Sequence, residues 1–425
     1  MRFATLDEWL VWQETLHPKA IDLGLARIKK VFCALRPAAR IPFTITVGGT
    51  NGKGSCVAML DAILRAQGYR VGTYTSPHLL RYNERIRING ECLADGPICA
   101  AFARIDQVRG DTSLSFFEFG TLAALDIFSQ LELDVQILEV GLGGRLDAVN
   151  MIDTDAALIA SIDIDHQDWL GDTRDAIALE KGGIFRPRKP AVVADPDPPS
   201  SLLAYARSNG IVLACLRREF DYAKSDVDWT WSGQDKRLTA LPFPALQGEH
   251  QLMNASGVLQ LLHAIEDRRP VSEGAIREGL ESVRLAGRFQ YIDGTVPFLL
   301  DVAHNPQSVK ILADHLSRHF SGRRIHAVFA IMRDKDIAGV VNHIKALIDR
   351  WYLAPLKTLR AASESQLIGV LRDLSVTALD SGFSDASAAF AAARRNAQNG
   401  DLIVVFGSFF LVSEFLAETP IDLPR

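Results

Sequence analysis

A chain of 425 residues with 48% hydrophobic content can build more than one large core, so two domains are expected. A formal net charge of −5, a pI near 6.1 and the lack of any lysine-rich run exclude nucleic acid as its natural partner. The opening "MRFATLDEWLVWQETLHP" carries acids and tryptophans where a secretory signal has a basic end and an apolar core, and no stretch approaches the roughly 18 uninterrupted apolar residues of a membrane span, so no membrane association is expected.

From Phe43 onward short β-rich runs alternate with helical patterns, the signature of an α/β chain with a mostly parallel sheet. "FTITV" reads as a strand. "GSCVAMLDAILRAQG" reads as a helix with Val57, Leu60, Ile63 and Leu64 on one side and Gly68 closing it. Where strand meets helix, "VGGTNGKGS" (Val47 to Ser55) approaches the phosphate-binding pattern G-x-x-x-x-G-K-[ST] but departs from it twice. Val47 stands in place of the first glycine, and Gly54 in place of the hydroxyl that holds Mg²⁺. The context favours an anion site over an empty glycine turn, because loop N–H groups and the helix dipole point the same way. Two serines are candidates for the missing hydroxyl. Ser55 lies one place late, and Ser76 in "TSPHL" ends the second strand, "RVGTYT", on the same rim if the two strands are near neighbours.

"ERIRINGECL" alternates about Asn89-Gly90, a strong hairpin signal. "VQILEVGL" and "AALIASIDI" read as buried parallel strands. Glu139 closes the first of them, either as a solvated strand-end acid or as one of the few hard oxygen ligands that Mg²⁺ takes from protein. His166 follows the second among Asp163, Asp165 and Asp168, as a ligand or as a polar loop residue. "TRDAIALEKGGIF" reads as a helix after Asp172 or Thr173, and its Lys181 is by itself an ordinary solvated lysine. "AVVADPDPPSS" reads as a proline-rich turn, and "DYAKSDVDWTWSGQDKRLTAL" as an antiparallel appendage. Two helical patterns follow, "HQLMNASGVLQLLHAIE" and "SEGAIREGLESV".

Near "RLAGRFQ" the rhythm restarts with a strand "FLLDVA", a helix from Gln307, a strand "RIHAVFAIM", a helix from Asp336 and a strand in "DLIVVFGSFF". The expected division is therefore residues 1–286 and a smaller α/β domain, 287–425. The cysteines, Cys33, Cys56, Cys92, Cys99 and Cys215, are odd in number and lack C-x-x-C pairs. Neither a disulfide framework nor a zinc site is implied, and a reducing cytoplasm is the expected setting.

Taken together, "IDLGLARI", "VGGTNGKGS", "TSPHL....ERI", "FFEFGTLAAL", "LEVGLGGRLDAVN", "DHQDWLG", "EKGGIF", "GRFQ", "DVAHNP" and "VFGSF" closely resemble the folylpolyglutamate synthase family, in order and over nearly the whole chain. The resemblance implies a phosphate-loop ATPase domain of the Mur-ligase type, which binds ATP and the pterin, followed by a smaller glutamate-ligase domain. It further implies an ATP-dependent ligase that joins L-glutamate to 7,8-dihydropteroate and to the γ-carboxyl of reduced folates through an acyl phosphate, with a single-activity folylpolyglutamate synthase as the alternative. A monomer using two Mg²⁺ ions is expected.

Carried over residue by residue, Thr50, Asn51, Gly52, Lys53, Gly54 and Ser55 bind the phosphates of ATP, with Asn254, Arg288 and Asp301 around the nucleotide. Ser76 and Glu139 hold the first metal. His166 and Lys181 serve the second, and the resemblance implies that Lys181 carries a CO₂-derived carbamate. Lys53, Glu139, His166 and Lys181 form the catalytic set. Asp22, Leu23, Gly24, Leu25, Phe116, Phe117, Glu118, Leu146, Asp147 and Ala148 match pterin-side positions, although an aromatic pair such as Phe116-Phe117 is more often core. His304 and Ser408 are candidates for the glutamate pocket. ATP is expected between the two domains, with closure part of the cycle. One departure is Val149, where the family usually has threonine.

A peptidoglycan Mur ligase has the same chemistry, but those enzymes place a domain of about a hundred residues before the loop. Here 46 residues precede Val47. A binding protein without catalysis would have lost one of Lys53, Glu139, His166 or Lys181, and all are present.

Overall fold

In the computed structural model, which describes residues 2–19 and 21–419, the chain forms two compact units. One holds the residues up to Ala245 together with Gln251–Arg284; the other holds Leu246–His250 and the residues from Leu285 onward. The chain thus passes between the units three times.

The first unit is built on β1 (Phe43–Gly48), β2 (Val71–Tyr74), β3 (Ile86–Ile88), β4 (Glu91–Cys92), β5 (Val135–Glu139), β6 (Ala156–Ile159), β7 (Pro190–Val193) and β8 (Val212–Cys215). Their order is β4-β3-β2-β5-β1-β6-β7-β8. The six strands from β2 to β8 in that order are parallel, and the β3–β4 hairpin adds an antiparallel edge. Every residue of β1 and β5 is buried, as expected for central parallel strands covered on both faces. Their polar members find partners: Gln136 Nε2 donates to Thr44 Oγ1 at 2.8 Å. Asn89 (φ 52°) and Gly90 (φ 83°) take the left-handed conformations that a two-residue hairpin turn needs.

The helices Leu6–Leu16 and Ala26–Leu35 pack on the helices Asp95–Arg109 and Phe116–Gln130, around Trp9, Phe102 and Phe119. The proline-rich stretch departs from expectation. Its "AVV" belongs to β7, and Pro190 stands at the strand's first residue, where proline is tolerated. The turn that follows gives way to a helix, Ser200–Ser208. The expected antiparallel appendage is present as β9 (Asp221–Lys224), β10 (Trp229–Ser232) and β11 (Arg237–Leu241), with Trp229 and Trp231 buried at alternate positions.

The second unit contains β12 (Gln290–Ile292), β13 (Phe298–Leu300), β14 (Ile325–Phe329), β15 (Arg350–Leu353), β16 (Leu379–Asp380) and β17 (Leu402–Phe406). Their order is β12-β13-β17-β14-β15-β16, parallel except for β12. This sheet has its own core, including Leu299, Leu312, Phe329, Trp351, Val404 and Phe406. The helix Pro306–His319 starts with proline at its first turn after the cap Asn305. Gly248 (φ 104°) is required by close approach: a Cβ there would lie 2.6 Å from His250 Cε1 and 2.7 Å from Phe289 Cε2. Among the described residues no helix is long and apolar enough to cross a membrane.

Candidate active site

Strand order decides which of the two candidate serines lies beside the loop and Glu139. β5 lies between β1 and β2, with Val47 opposite Glu139 and Tyr74 opposite Leu138, so the loop, Glu139 and Ser76 share one rim. Ser76 N donates to Glu139 Oε2 at 3.1 Å. The other candidate, Ser55, is buried, and its hydroxyl accepts from Gln251 Nε2 at 3.3 Å. Of the two serines, Ser76 is the one beside Glu139.

The loop itself is tied to the segment after β6. Thr50 N donates to the Ser161 carbonyl at 2.7 Å, Asn51 N to Ser161 Oγ at 3.0 Å, and Thr50 Oγ1 to the Asp163 carbonyl at 3.0 Å. Lys53, the first residue of the helix Lys53–Ala66, folds its Nζ back onto the carbonyls of Gly49 and Thr50, each at 3.1 Å. Gly52 caps this helix at φ 85°, and a Cβ on it would stand 2.6 Å from Asn254 Oδ1. Asn254 is buried against the loop; its Nδ2 donates to Gln251 Oε1 at 3.0 Å, while Oδ1 accepts no hydrogen bond among the described residues. An acceptor is therefore held against the phosphate loop.

Lys181 lies near the end of the helix Arg174–Gly182, which Thr173 caps. The glycine-rich stretches "GLGGRLD" and "EKGGIF" meet almost backbone to backbone. A Cβ on Gly144 would lie 2.8 Å from the Glu180 carbonyl, and one on Gly183 would lie 2.4 Å from Arg145 Cβ. Asn150 staples the contact, donating Nδ2 to the carbonyls of Arg145 and Gly183 at 3.0 Å each. Asp147 Oδ2 accepts from Leu142 N at 2.8 Å, and Oδ1 from Val149 N at 3.0 Å. Val149 thus serves Asp147 through its backbone, and its side chain joins the core.

Electrostatics ties the rim together. Burial lowers the Lys181 pKa to about 7, helped by the charge of Lys53 and opposed by Asp165 and Asp147. Burial raises Asp147 to about 6, against its backbone donors and Lys53. Burial pushes the Cys56 thiol up, with Glu139 raising it further and Lys53 lowering it, so Lys53 and Glu139 both act on the first turn of that helix. His166 caps the helix Gln167–Leu170 in a left-handed conformation (φ 53°), its backbone N donating to Asp165 Oδ1 at 2.8 Å. Its Nε2 lies 3.9 Å from Asp165 Oδ2.

Among the residues expected to meet the pterin, Arg27 joins two segments. Its Nη1 donates to Asp22 Oδ2 at 2.5 Å, and its Nη2 to Glu118 Oε1 at 3.1 Å. Burial raises the Asp22 pKa, but Arg27 and His17 outweigh it and the net shift is downward. Leu23 and Gly24 lead to Leu25, the cap of the helix Ala26–Leu35. Phe117 packs 5.8 Å from Tyr74 and fills the space that a Cβ on Gly141 would need. Phe116 meets Tyr82 edge-on at 5.8 Å. Leu146 is partly buried and Ala148 buried beside Asp147. Arg27, Asn150 and Gln251 were not identified from sequence, because each matters only through a partner far along the chain.

In the second unit, Asp301 Oδ2 accepts from Phe289 N at 3.0 Å and Oδ1 from Ala303 N at 2.7 Å, and burial raises its pKa to about 6 against the charge of Arg288. Arg288 sits over the ring of Phe409 at 5.2 Å, and His304 lies 6.0 Å from the same ring. Ser408 is buried and caps the helix Phe409–Glu418, accepting from Phe410 N at 3.1 Å. These four residues gather at the carboxyl ends of β13 and β17.

The donor set fits a hard divalent cation only in one way. Among the described residues no three His, Cys, Asp or Glu side chains gather to hold a metal. A hydroxyl, one carboxylate, phosphate oxygens and water suit Mg²⁺, which takes few protein ligands. An amine held near neutrality by burial is one that CO₂ can convert into a further carboxylate.

A phosphate loop on a parallel sheet, with Glu139 and Ser76 across the rim, suits an ATP-dependent enzyme, and the sequence places this chain among the ligases of the Mur type. The chain matches the Mur ligase middle domain over residues 47–262 and the Mur ligase glutamate ligase domain over residues 287–409. Within that class it belongs to the dihydrofolate synthase/folylpolyglutamate synthase family. The dihydrofolate synthase/folylpolyglutamate synthase of Escherichia coli (strain K12) is 43% identical over 411 residues, covering 97% of this chain and 94% of that protein. A solved structure of E. coli FolC in complex with DHPP and ADP matches with a TM-score of 0.92 at 42% identity, over 98% of this chain and 97% of that one. A bifunctional folylpolyglutamate synthase/dihydrofolate synthase with Mn, AMPPNP and L-glutamate bound matches with a TM-score of 0.90 at 43% identity, over 98% of both chains.

Proposed function

We propose that this chain is an ATP-dependent ligase that adds L-glutamate to 7,8-dihydropteroate, forming dihydrofolate, and to the γ-carboxyl of reduced folates. The observation that carries the reading is the single rim on which the phosphate loop, the Ser76–Glu139 pair and buried Lys181 converge. The γ-phosphoryl group of ATP passes to the substrate carboxylate: a C–O–P linkage forms, the β–γ P–O bond breaks and ADP leaves. The glutamate amine then attacks the acyl carbon; the C–N bond forms, phosphate departs with the C–O electrons, and the amine loses its proton. Such chemistry depends on positioning and charge neutralisation more than on covalent groups of the protein.

In this reading the N–H groups of Thr50 to Ser55 cradle the phosphates and Lys53 neutralises them, with Asn254, Arg288 and Asp301 around the nucleotide. Ser76 and Glu139 hold one Mg²⁺, and His166 with carbamylated Lys181 serve a second; bound there, the cations offset phosphate charge. The neutral Lys181 amine adds CO₂ with loss of one proton, which converts a group that cannot bind a cation into one that can. Asp22 to Leu25, Phe116 to Glu118 and Leu146 to Ala148 bind the pterin, and His304 and Ser408 the glutamate. Residues 1–286 and 287–425 act as ATP/pterin and glutamate-ligase domains of a cytoplasmic monomer.

The purified protein should form ADP when given ATP, Mg²⁺, dihydropteroate and glutamate together. Turnover with a tetrahydrofolate but none with dihydropteroate would reduce the reading to folylpolyglutamate synthase alone.

A further inference from the structure

Arg85 is a buried cation that faces no carboxylate partner among the described residues. It leads into β3 beside the end of β2, where Thr75 N donates to its carbonyl at 2.9 Å, one residue before Ser76. The residue is 9% exposed, yet among the described residues it forms no ion pair with a carboxylate. Its Nε donates to His78 Nδ1 at 2.8 Å, and the hydroxyl of Tyr74 is its other polar neighbour. Neither supplies a carboxylate, one being an imidazole and the other a phenol. The adjacent Glu84 is turned away, its carboxylate accepting from the N–H groups of Leu79, Leu80 and Arg81 at 2.7–2.8 Å. The guanidinium lies over the rings of Tyr82 and Phe116, at 5.5 and 5.6 Å from their centroids, and Phe116 is partly exposed.

An unpaired buried charge costs several kcal/mol, and a fold gains no stability by keeping one. A guanidinium is a planar fork that matches a carboxylate. The position of Arg85 selects the ligand, for it is on the Phe116 side of the rim, at the start of β3, with β2 and β5 between it and the phosphate loop of β1. We infer that Arg85 binds a carboxylate of the pterin-bearing substrate. That carboxylate is either the reacting group of dihydropteroate or the α-carboxylate of a folate's glutamate tail. The inference rests on the ligase reading above.

The test is Arg85→Gln in the full-length protein, with KM measured separately for dihydropteroate, tetrahydrofolate, ATP and glutamate. KM for a pterin substrate should rise about 10- to 100-fold, the range for a lost hydrogen bond to a charged group, while KM for ATP stays within about twofold. A rise for both pterins assigns the reacting carboxylate, and a rise for tetrahydrofolate alone assigns the tail. Unchanged pterin KM values, or all four rising together, would overturn the inference. Binding of dihydropteroate and its methyl ester to the wild-type protein without ATP or metal is the second measurement, and it needs no variant to fold. If Arg85 holds the reacting carboxylate, the free acid should bind about 10-fold or more tighter; equal binding overturns that assignment, and with an unchanged tetrahydrofolate KM in Arg85→Gln it overturns the inference as a whole. A wild-type protein that makes no ADP with either pterin sinks the ligase reading instead, so the two failures are distinct.

Discussion

At the scale of single residues, Lys181 shows how burial turns an ordinary side chain into a chemical one. The amine titrates at about 7 in the fold against an ordinary 10.5, so between those values the unfolded chain holds a proton that the folded chain lacks. The contribution of this group to folding is therefore unfavourable below about pH 7 and improves as pH rises toward 10.5. The same rise favours carbamate formation. Lys181→Ala should abolish ADP formation, and millimolar formate or acetate should restore part of it; substantial activity without added carboxylate would remove the carbamate role. In CO₂-free buffer the wild-type urea midpoint should climb from pH 7 to 9 by more than that of Lys181→Met. Sequence alone presented Lys181 as a solvated helix residue, since nothing local records that the "GLGG" loop will cover it. Glu139 was legible because an acid ending an apolar strand is conspicuous by itself. Arg27 and Arg85 were not, because a guanidinium acquires meaning only from partners brought in by other strands and helices.

Among the elements, the contact between the Gly144 and Gly183 loops sets the distance between Asp147 and Lys181. Asn150→Ala removes the donor shared by the Arg145 and Gly183 carbonyls, of which Gly183 keeps Arg186 Nη1 at 3.2 Å, and should cost roughly 0.5–1.5 kcal/mol in urea unfolding, with ADP formation reduced alongside. Full stability with full activity would show that the loops hold without the staple. The strands carrying the site were readable from apolar runs and turn chemistry: β1, β2, β5, β6 and the Asn89-Gly90 hairpin. Two kinds of information were not. The insertion of β5 between β1 and β2 is a long-range pairing that no local pattern encodes. The helix Phe116–Gln130 is buried from Glu118 through Phe128, which erases the amphipathic stripe by which a helix is read.

For the molecule as a whole, each of the two units has a core of its own, one built from residues between Leu6 and Cys215 and one from residues between Phe289 and Phe406. Two such cores predict departure from two-state unfolding: calorimetry should give a total enthalpy larger than the van't Hoff value, or two resolved transitions. A single transition with equal enthalpies would show the cores to be coupled. The path of the chain adds a constraint of another kind. Because Leu246–His250 belongs with the later unit, a polypeptide ending at residue 286 would keep Glu249 and His250 but lose Arg318 and Phe289, against which they pack. No single crossover point in the gene separates the halves cleanly, so recombination that exchanges the C-terminal part alone leaves a mismatched thread in its neighbour. A graft of the later unit therefore has to carry Leu246–His250 along with the residues from Leu285 onward.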